Sequence, residues 1–478
     1  MNTPEPAAQL VAVLQPVLGP LIARFAEAGH ELALVGGPVR DALRGTLDLQ
    51  RSSDLDMTTS AHPDEVLRLI EGYAEAVWTT GIEFGTVAMT HRGFQLEITT
   101  YRADRYDRIS RNPEVVFGDS ITQDLSRRDF TVNAMAVSLI DGTFHDPYGG
   151  VRDLVAGVLR TPAAPEESFA DDPLRIFRLV RFVAQLGAKP EPATQAAAKA
   201  MSGELSRITP ERLQGELTKL LLTVQPRAGL EAMVELGIAD IVLPELSALR
   251  MEIDEHHQHK DVYVHSLTVL DQAIALEPRL RRDGPDLVVR LAALLHDVGK
   301  PATRRHETAG GVSFHHHEVV GAKLVRKRLR ALRYSKQIIE DVANLTFLHL
   351  RFHGFSEGNW TDSAVRRYVT DAGDLLDRLH ILVRSDCTTR NKRRAARLAS
   401  AYDRLEQRIE EIRAAEDLRA VRPDLDGNAI MEILGVPAGP VVGKAWKHLK
   451  ELRLDRGPLE HDEAVAELKA WAAREGVL

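Results

Sequence analysis

Apolar residues at Leu10, Val11, Leu14, Leu18, Leu21 and Ile22 recur at helical spacing and predict a helix within residues 1–30. The pattern then changes period. Leu32–Val35 is a short apolar run ending at Gly36 and Gly37, and Asp54–Thr58 alternates polar with apolar; both predict strands. Gly85–Thr90 and Phe94–Thr100 flank His91, Arg92 and Gly93 as one hairpin. Thr131–Ile140 and Thr143–His145 flank Asp141 and Gly142 as a second. Strand signals fade after about residue 150, and Leu154–Leu478 is largely helical in period. An α/β head followed by a long helical body is therefore expected. The boundaries read as a head over 1–150, a helical neck over 151–250, a His-rich helical body over 251–391 and a charged helical tail over 392–478.

Composition narrows the function classes. The chain has 478 residues, 44% hydrophobic and 27% charged, which suits several soluble domains. Its single cysteine, Cys387, excludes a disulfide framework and a cysteine-based zinc site, and points to a reducing compartment such as the cytoplasm. Met1–Pro6 lacks the basic start of a signal peptide, and no apolar run reaches the roughly 20 residues that span a bilayer, so no membrane partner is expected. A net charge of −8 argues against an all-over nucleic-acid coat but leaves room for a local basic surface. The run TRNKRRAARL, residues 389–398, is such a surface or simply a solvated helix face.

Two short constellations carry chemistry. VGGPVRD, residues 35–41, sets two glycines after a strand, where backbone N–H groups can approach phosphate oxygens. Arg40 could add a charge-assisted clamp. SDLDMT, residues 53–58, puts Asp54 and Asp56 on one strand face, because side chains at i and i+2 share a side. Carboxylates so close call for a cation, and hard oxygen ligands suit Mg²⁺. Glu97, on the neighbouring hairpin, could complete a pair of metal positions that activates a sugar hydroxyl and stabilises a leaving pyrophosphate. Further on, Asp172 and Pro173 read as an N-cap and a first helical position, and Arg175, Arg178 and Arg181 line one broad helix face.

In order, VGGPVRDALRG, SDLDMTT, LSRRDFTVNAMA (125–136), DPYGGVRDL (146–154), DDPLRIFRLVRF (171–182) and ERLQGELTKLL (211–221) resemble the head and neck of class II CCA-adding enzymes and bacterial poly(A) polymerases. The resemblance covers about the first 225 residues. It implies a nucleotidyltransferase head with a small mixed sheet, followed by an all-α neck, body and tail. It implies that Asp54 and Asp56 bind the metals, that Gly36, Gly37 and Arg40 hold the triphosphate, and that Arg128 contacts the nucleotide. It implies that Asp172 and Arg175 read the base edge. A carboxylate acceptor beside a guanidinium donor can pair with C and A but not with U or G, so CTP and ATP would be accepted. Arg178 and Arg181 would meet phosphates or the neck core. TTGIEFGTVAMT, residues 79–90, lacks the more basic stretch usual in the poly(A) polymerases and favours CCA addition to tRNA, with CC-only, A-only and poly(A) addition as alternatives. The tail would reach tRNA by shape.

His265, His296 with Asp297, His317 and Asp386 resemble an HD-type phosphohydrolase domain, which implies a divalent metal held from separate helices. Imidazole and carboxylate ligands suit Mn, Fe, Ni, Co or Zn. His349 and His353 read as extra ligands or as polar helix residues, and His256, His257 and His259 as a loose surface cluster. A rival reading makes this body the main enzyme, a metal-dependent phosphohydrolase, and the head a degenerate RNA-binding platform. The intact Asp54/Asp56 pair argues against it.

Overall fold

The computed structural model describes residues 3–49, 54–102, 117–118, 120–250, 262–307, 312–352, 360–389, 391–416 and 422–477. His256, His257, His259 and His353 lie outside them. The chain divides into two compact units, Met1–Ile241 and Val242–Leu478.

The first unit begins with α1 (Glu5–Glu27), which buries Leu10, Leu14, Leu18, Leu21 and Phe25 in the head core. Contrary to the expectation that no apolar run is long enough, α1 is by length and composition apolar enough to cross a membrane; one of its faces is packed in the head core. The sheet has seven strands: β1 (Leu32–Val35), β2 (Asp54–Thr59), β3 (Ala76–Trp78), β4 (Thr86–His91), β5 (Phe94–Thr100), β6 (Ala136–Ser138) and β7 (Phe144–His145). Their order is β3-β4-β5-β2-β1-β6-β7. Every pair is antiparallel except β2 with β5, so the sheet is mixed. Leu34, Leu55, Met57, Leu96 and Ile98 bury one face under α1, α2 (Gly37–Leu43) and α3 (Pro63–Ile70).

The hairpin expected over Thr131–Ile140 is shorter than its period suggests. Thr131–Asn133 forms a 3₁₀ turn, and only Ala136–Ser138 pairs. The cause is local competition for hydrogen bonds. Thr131 donates to Asp153 (2.8 Å) and Asn133 donates to Asp129 (2.9 Å), so these buried polar side chains are satisfied outside a ladder.

The neck is helical. After α4 (Ile121–Ser126) and α5 (Gly150–Ala156) come α6 (Pro165–Asp171), α7 (Leu174–Leu186), α8 (Pro192–Met201), α9 (Pro210–Leu221) and α10 (Arg227–Glu235), with the short α11 (Ala239–Val242) at its end. Gly229 lets α10 press on α7, since a β-carbon there would fall 2.6 Å from the Val180 carbonyl oxygen. Asp172 is not the N-cap expected of it: the helix starts at Leu174 with Pro173 at the cap position, and Asp172, one residue earlier, accepts from Leu174 N–H through Oδ1 (3.2 Å).

The second unit opens with α12 (Pro244–Ala248). It then stacks α13 (Val262–Leu276), α14 (Leu287–Leu295), α15 (Lys300–Thr303), α16 (His317–Ala331) and α17 (Lys336–Leu348) with the helix Leu376–Ser385. Gly299 is not the left-handed helix stop that its place after LVVRLAALL suggests; its φ is −78°, and it leads directly into α15. What requires glycine is space. A β-carbon on Gly299 would collide with the His317 carbonyl oxygen and sit 2.7 Å from Gly321 N. A separate small core around Leu425, Ile430, Leu449, Leu468 and Trp471 closes the C-terminal helices.

Candidate functional site

In the head, β2 alternates as its sequence predicts: Leu55 and Met57 point into the core, and Asp54 and Asp56 point out. Because β2 and β5 run parallel in register, Asp56 lies directly opposite Glu97 and Asp54 opposite Gln95. Three carboxylates therefore share one ledge. Asp56 keeps contact with solvent but is crowded by surrounding protein. Desolvation raises its pKa, Arg128 opposes the rise, and Asp54 adds to it. Glu97 is raised by desolvation, then by Asp56 and Asp54. A donor set made of oxygen anions that repel one another fits a hard divalent cation such as Mg²⁺.

Gly36 sits beside this ledge at φ 74°, ψ −129°, a conformation only glycine adopts without strain. A β-carbon there would lie 3.3 Å from Arg128 Nη1 and 3.8 Å from Asp56 Oδ2. Gly36, Arg128 and the acidic ledge therefore converge, and Gly37 opens α2 next to them. Arg128 is anchored from below by Asp124, a fully buried acid that also pairs with Arg127.

Arg40 is placed differently from expectation. It is buried, and its guanidinium is occupied by Asp41 (2.7 and 2.8 Å) and Asn133 (2.7 Å). Arg181 is likewise buried against Glu216 (2.6 Å) and Gln185 (2.7 Å) and belongs to the neck core. Arg178 chelates Asp129 through Nε (2.8 Å) and Nη2 (2.6 Å). Burial disfavours the Asp129 anion, but Arg178, Asn133 and the Phe130 N–H overcome it and hold this carboxyl well below its ordinary range. Arg40, Arg178 and Arg181 all face the ring of Phe182, at 5.3, 5.6 and 4.0 Å from its centroid. Asp41, Asp129 and Glu216 supply one acid for each.

Asp172 and Arg175 do not pair with each other. Arg175 reaches back to the head, donating to the Arg127 carbonyl (2.6 Å) and to Ser168. Asp172 Oδ2 accepts from Arg212 (3.0 Å), a half-exposed residue of α9. Sequence reasoning missed Arg212; its only signal was its place in ERLQGELTKLL.

The body brings together His265, His296, Asp297, His317 and Asp386, with His349 joining them from the turn after α17. His265 Nε2 lies 2.9 Å from Asp386 Oδ1 and 3.5 Å from Asp297 Oδ2, and His296 Nε2 lies 3.2 Å from that same Asp297 oxygen. His317 Nε2 is 3.2 Å from the other oxygen, Asp297 Oδ1. Lys300 Nζ lies 3.0 Å from Oδ2. For His296, burial alone would lower the pKa, but Asp297 and Asp386 raise it to about 10; burial takes His349 down to about 3. In the tail, Lys392, Arg393, Arg394 and Arg397 are exposed at the start of the helix Lys392–Ala415, while Arg390 lies outside the described residues.

Comparison with known proteins matches this layout. A poly A polymerase head domain model matches residues 32–160, a model described as a probable RNA and SrmB-binding site of polymerase A matches 187–249, and an HD domain model matches 262–406. An A-adding tRNA nucleotidyltransferase of Deinococcus radiodurans is 34% identical over 92% of this chain and 95% of its own. A CCA-adding enzyme of Lacticaseibacillus paracasei is 39% identical over 52% of this chain, and the match spans 60% of that enzyme's length. Among solved structures, the Bacillus stearothermophilus CCA-adding enzyme in complex with CTP superposes with a TM-score of 0.67 at 24% identity, covering 97% of this chain and 99% of that one. The Thermotoga maritima CCA-adding enzyme complexed with tRNA superposes at 0.59 and 19%, covering 97% and 98%. These two likenesses speak to the fold. A full-length relative, three family models in the right order and an acidic ledge beside a glycine seat lead to one conclusion: the chain belongs to the family of CCA-adding enzymes and related poly(A) polymerase-type nucleotidyltransferases, with an HD domain in its body.

Proposed function

We propose that this chain adds the terminal CCA to the 3′ end of tRNA in the cytoplasm, using CTP and ATP. The observation that carries the reading is the convergence of Asp54, Asp56 and Glu97 with Gly36 and Arg128. The tRNA 3′-oxygen attacks the α-phosphorus, the bond to the β-phosphate breaks, and pyrophosphate leaves. Mg²⁺ held by Asp54 and Asp56 would activate the attacking hydroxyl and neutralise the leaving charge. Gly36 leaves room for a phosphate close to the backbone, with Gly37 beside it, and Arg128 directs a guanidinium at the same place. Asp172 and Arg175 select the base from the neck; for this Asp172 exchanges Arg212 for the amino group of C or A. Arg178 positions Asp129 beneath the site. The exposed cations of 392–397 support a tRNA backbone contact, which weakens with salt.

One observation favours a second reading, A-only addition: a relative that aligns along nearly the whole chain is named an A-adding tRNA nucleotidyltransferase. The two separate on tRNA substrates ending before, within and after the CC step, each offered CTP, ATP or both. CCA addition predicts C, C and then A on the shortest substrate. Incorporation of AMP alone, and only onto tRNA already ending in CC, would replace it with the A-only reading. Long A tracts on generic RNA would replace both.

For the body, His265, His296, Asp297 and Asp386 would hold a transition-metal cation. Their mixed nitrogen and oxygen donors fit Mn, Fe, Co, Ni or Zn.

A further inference from the structure

We propose that the open face of the head sheet carries the unpaired 3′ segment of the RNA, and that Trp78 at the sheet's edge stacks one of its bases. The proposal rests on the reading that RNA is extended at the acidic ledge and adds a binding subsite to it. Strand register supplies the geometry. Asp56 pairs across to Glu97, Glu97 to Ala88 and Ala88 to Trp78, so these residues form one row across β2, β5, β4 and β3. Residues directly opposite on neighbouring strands project from the same face. Trp78 therefore stands on the ledge's own face, at the edge of the sheet, about 14 Å from Asp56 at about 4.8 Å per strand.

The surface between indole and ledge is low and open. Val87, Met89, Leu96 and Ile98 turn the other way into the core, which leaves the small side chains of Ala88 and Thr90 on the ledge's face. Trp78 is 46% exposed and takes no part in the head core. Edge strands usually carry a charge or a proline that keeps other chains away. β3 reads Ala76, Val77, Trp78, with all three residues exposed, so this edge is left bare. Thr86 shares the face with Ala88, two residues away, and Arg102 Nη2 lies 3.5 Å from Thr86 Oγ1. A guanidinium thus borders the track, where backbone phosphates would meet it.

The spacing suits a single strand whose 3′-hydroxyl lies at the ledge. Stacked bases rise about 3.4 Å each, so about four cover the distance to the indole, and fewer do so when the strand is extended. The chemistry suits it as well. Every base has a face that an aromatic ring can cover without reading its identity. Such a contact tolerates a 3′ end whose bases shift by one position with each nucleotide added. A second copy of the chain pairing along β3 would also cover Trp78, but it would owe nothing to the row that joins Trp78 to Glu97 and Asp56; that register favours RNA.

The test uses the full-length chain with Mg²⁺ and ATP on tRNA ending in CC, a substrate that CCA and A-only addition both extend. Companion RNAs carry a single abasic site at each unpaired position in turn. Trp78→Ala should raise the KM for intact RNA about 10-fold, equivalent to about 1.4 kcal/mol, and should leave the KM for ATP where it is. Trp78→Phe should recover most of the loss, because it keeps a ring to stack. One abasic position should reproduce the loss in the parent chain, and on that RNA Trp78→Ala should add nothing further. A 2-aminopurine at the same position should be quenched by the parent and not by Trp78→Ala, a reading that needs no turnover. Equal RNA KM for parent and Trp78→Ala, or losses that add at every abasic position, would overturn the stacking and leave the ledge intact. A parent chain that extends no RNA would overturn both. A dimer seen by sedimentation and lost in Trp78→Ala, with RNA KM unmoved, would give the edge to a second copy instead.

Discussion

Asp54→Asn should make the metal-free protein more stable while destroying its activity. The substitution keeps shape and removes one charge from a ledge where Asp56 and Glu97 are both raised by desolvation and further by their acidic neighbours. Adjacent strands lie about 4.8 Å apart and same-face neighbours on one strand about 6.5 Å. At about 6 Å, two unit charges repel by about 0.7 kcal/mol in water and about 3 kcal/mol at an effective dielectric of 20. The ledge touches solvent, so screening puts the relief near 1 kcal/mol, or about 2–4 °C for a unit of this size. The pH dependence has a definite sign. A carboxyl whose folded pKa is raised binds its proton more tightly when folded, so stability falls as pH rises from the unfolded value, near 4, through the folded one. The advantage of Asp54→Asn should therefore be absent near pH 3, grow above pH 4 and level off at neutral pH. Calorimetry in chelator across this range measures it. Mg²⁺ should stabilise the parent chain and not the variant, and nucleotide incorporation should fall on the order of 10³-fold, as loss of about 4 kcal/mol of transition-state stabilisation requires. A variant that is less stable at neutral pH in chelator, or that still incorporates nucleotide, would refute the acidic-ledge argument.

Arg178→Ala strands Asp129 in the interior and should cost about 3–5 kcal/mol in urea unfolding. It should also abolish the stability that Asp129 contributes above about pH 4 and loses as pH falls through its lowered folded pKa. Arg212→Ala should change stability by less than about 1 kcal/mol, since the pair is partly exposed, yet alter the ratio of CTP to ATP use by freeing Asp172; unchanged selectivity would remove Arg212 from base choice. Gly299→Ala forces a methyl into the His317 backbone and should cost about 1–3 kcal/mol or more, with loss of metal from the body measured in the same preparation.

The ledge was legible because it depends on period alone: alternation puts Asp54 and Asp56 together, and a hairpin beside them supplies Glu97. Periodicity likewise located α1 and the strands β1, β2, β4 and β5. The burial of Arg40 was not legible, and for Arg181 the sequence left phosphate contact and the neck core both open. An arginine in a motif reads as a ligand clamp, and nothing local reveals that Asn133, far along the chain, will occupy Arg40 or that Glu216 will decide for Arg181 in favour of the core. Arg212 escaped for the same reason, since its partner Asp172 is 40 residues away. His349 was open between ligand and polar surface until the packing of α16 on α17 turned it towards Asp297. Short-range signals thus located the elements and the chemistry, while long-range pairing decided which charged groups remain available to a substrate.

The ring of Phe182 has a consequence of its own. Three guanidiniums gather around it and three acids cancel them, so the knot tying α2, the segment after α4, α7 and α9 together carries no net charge. An electrically silent knot of this kind can stiffen the base of the head without competing with Arg128 for the triphosphate proposed to bind there. Mutating any one of its acids would leave an uncompensated cation in this knot, a decoy for an anionic substrate if the proposed site is correct.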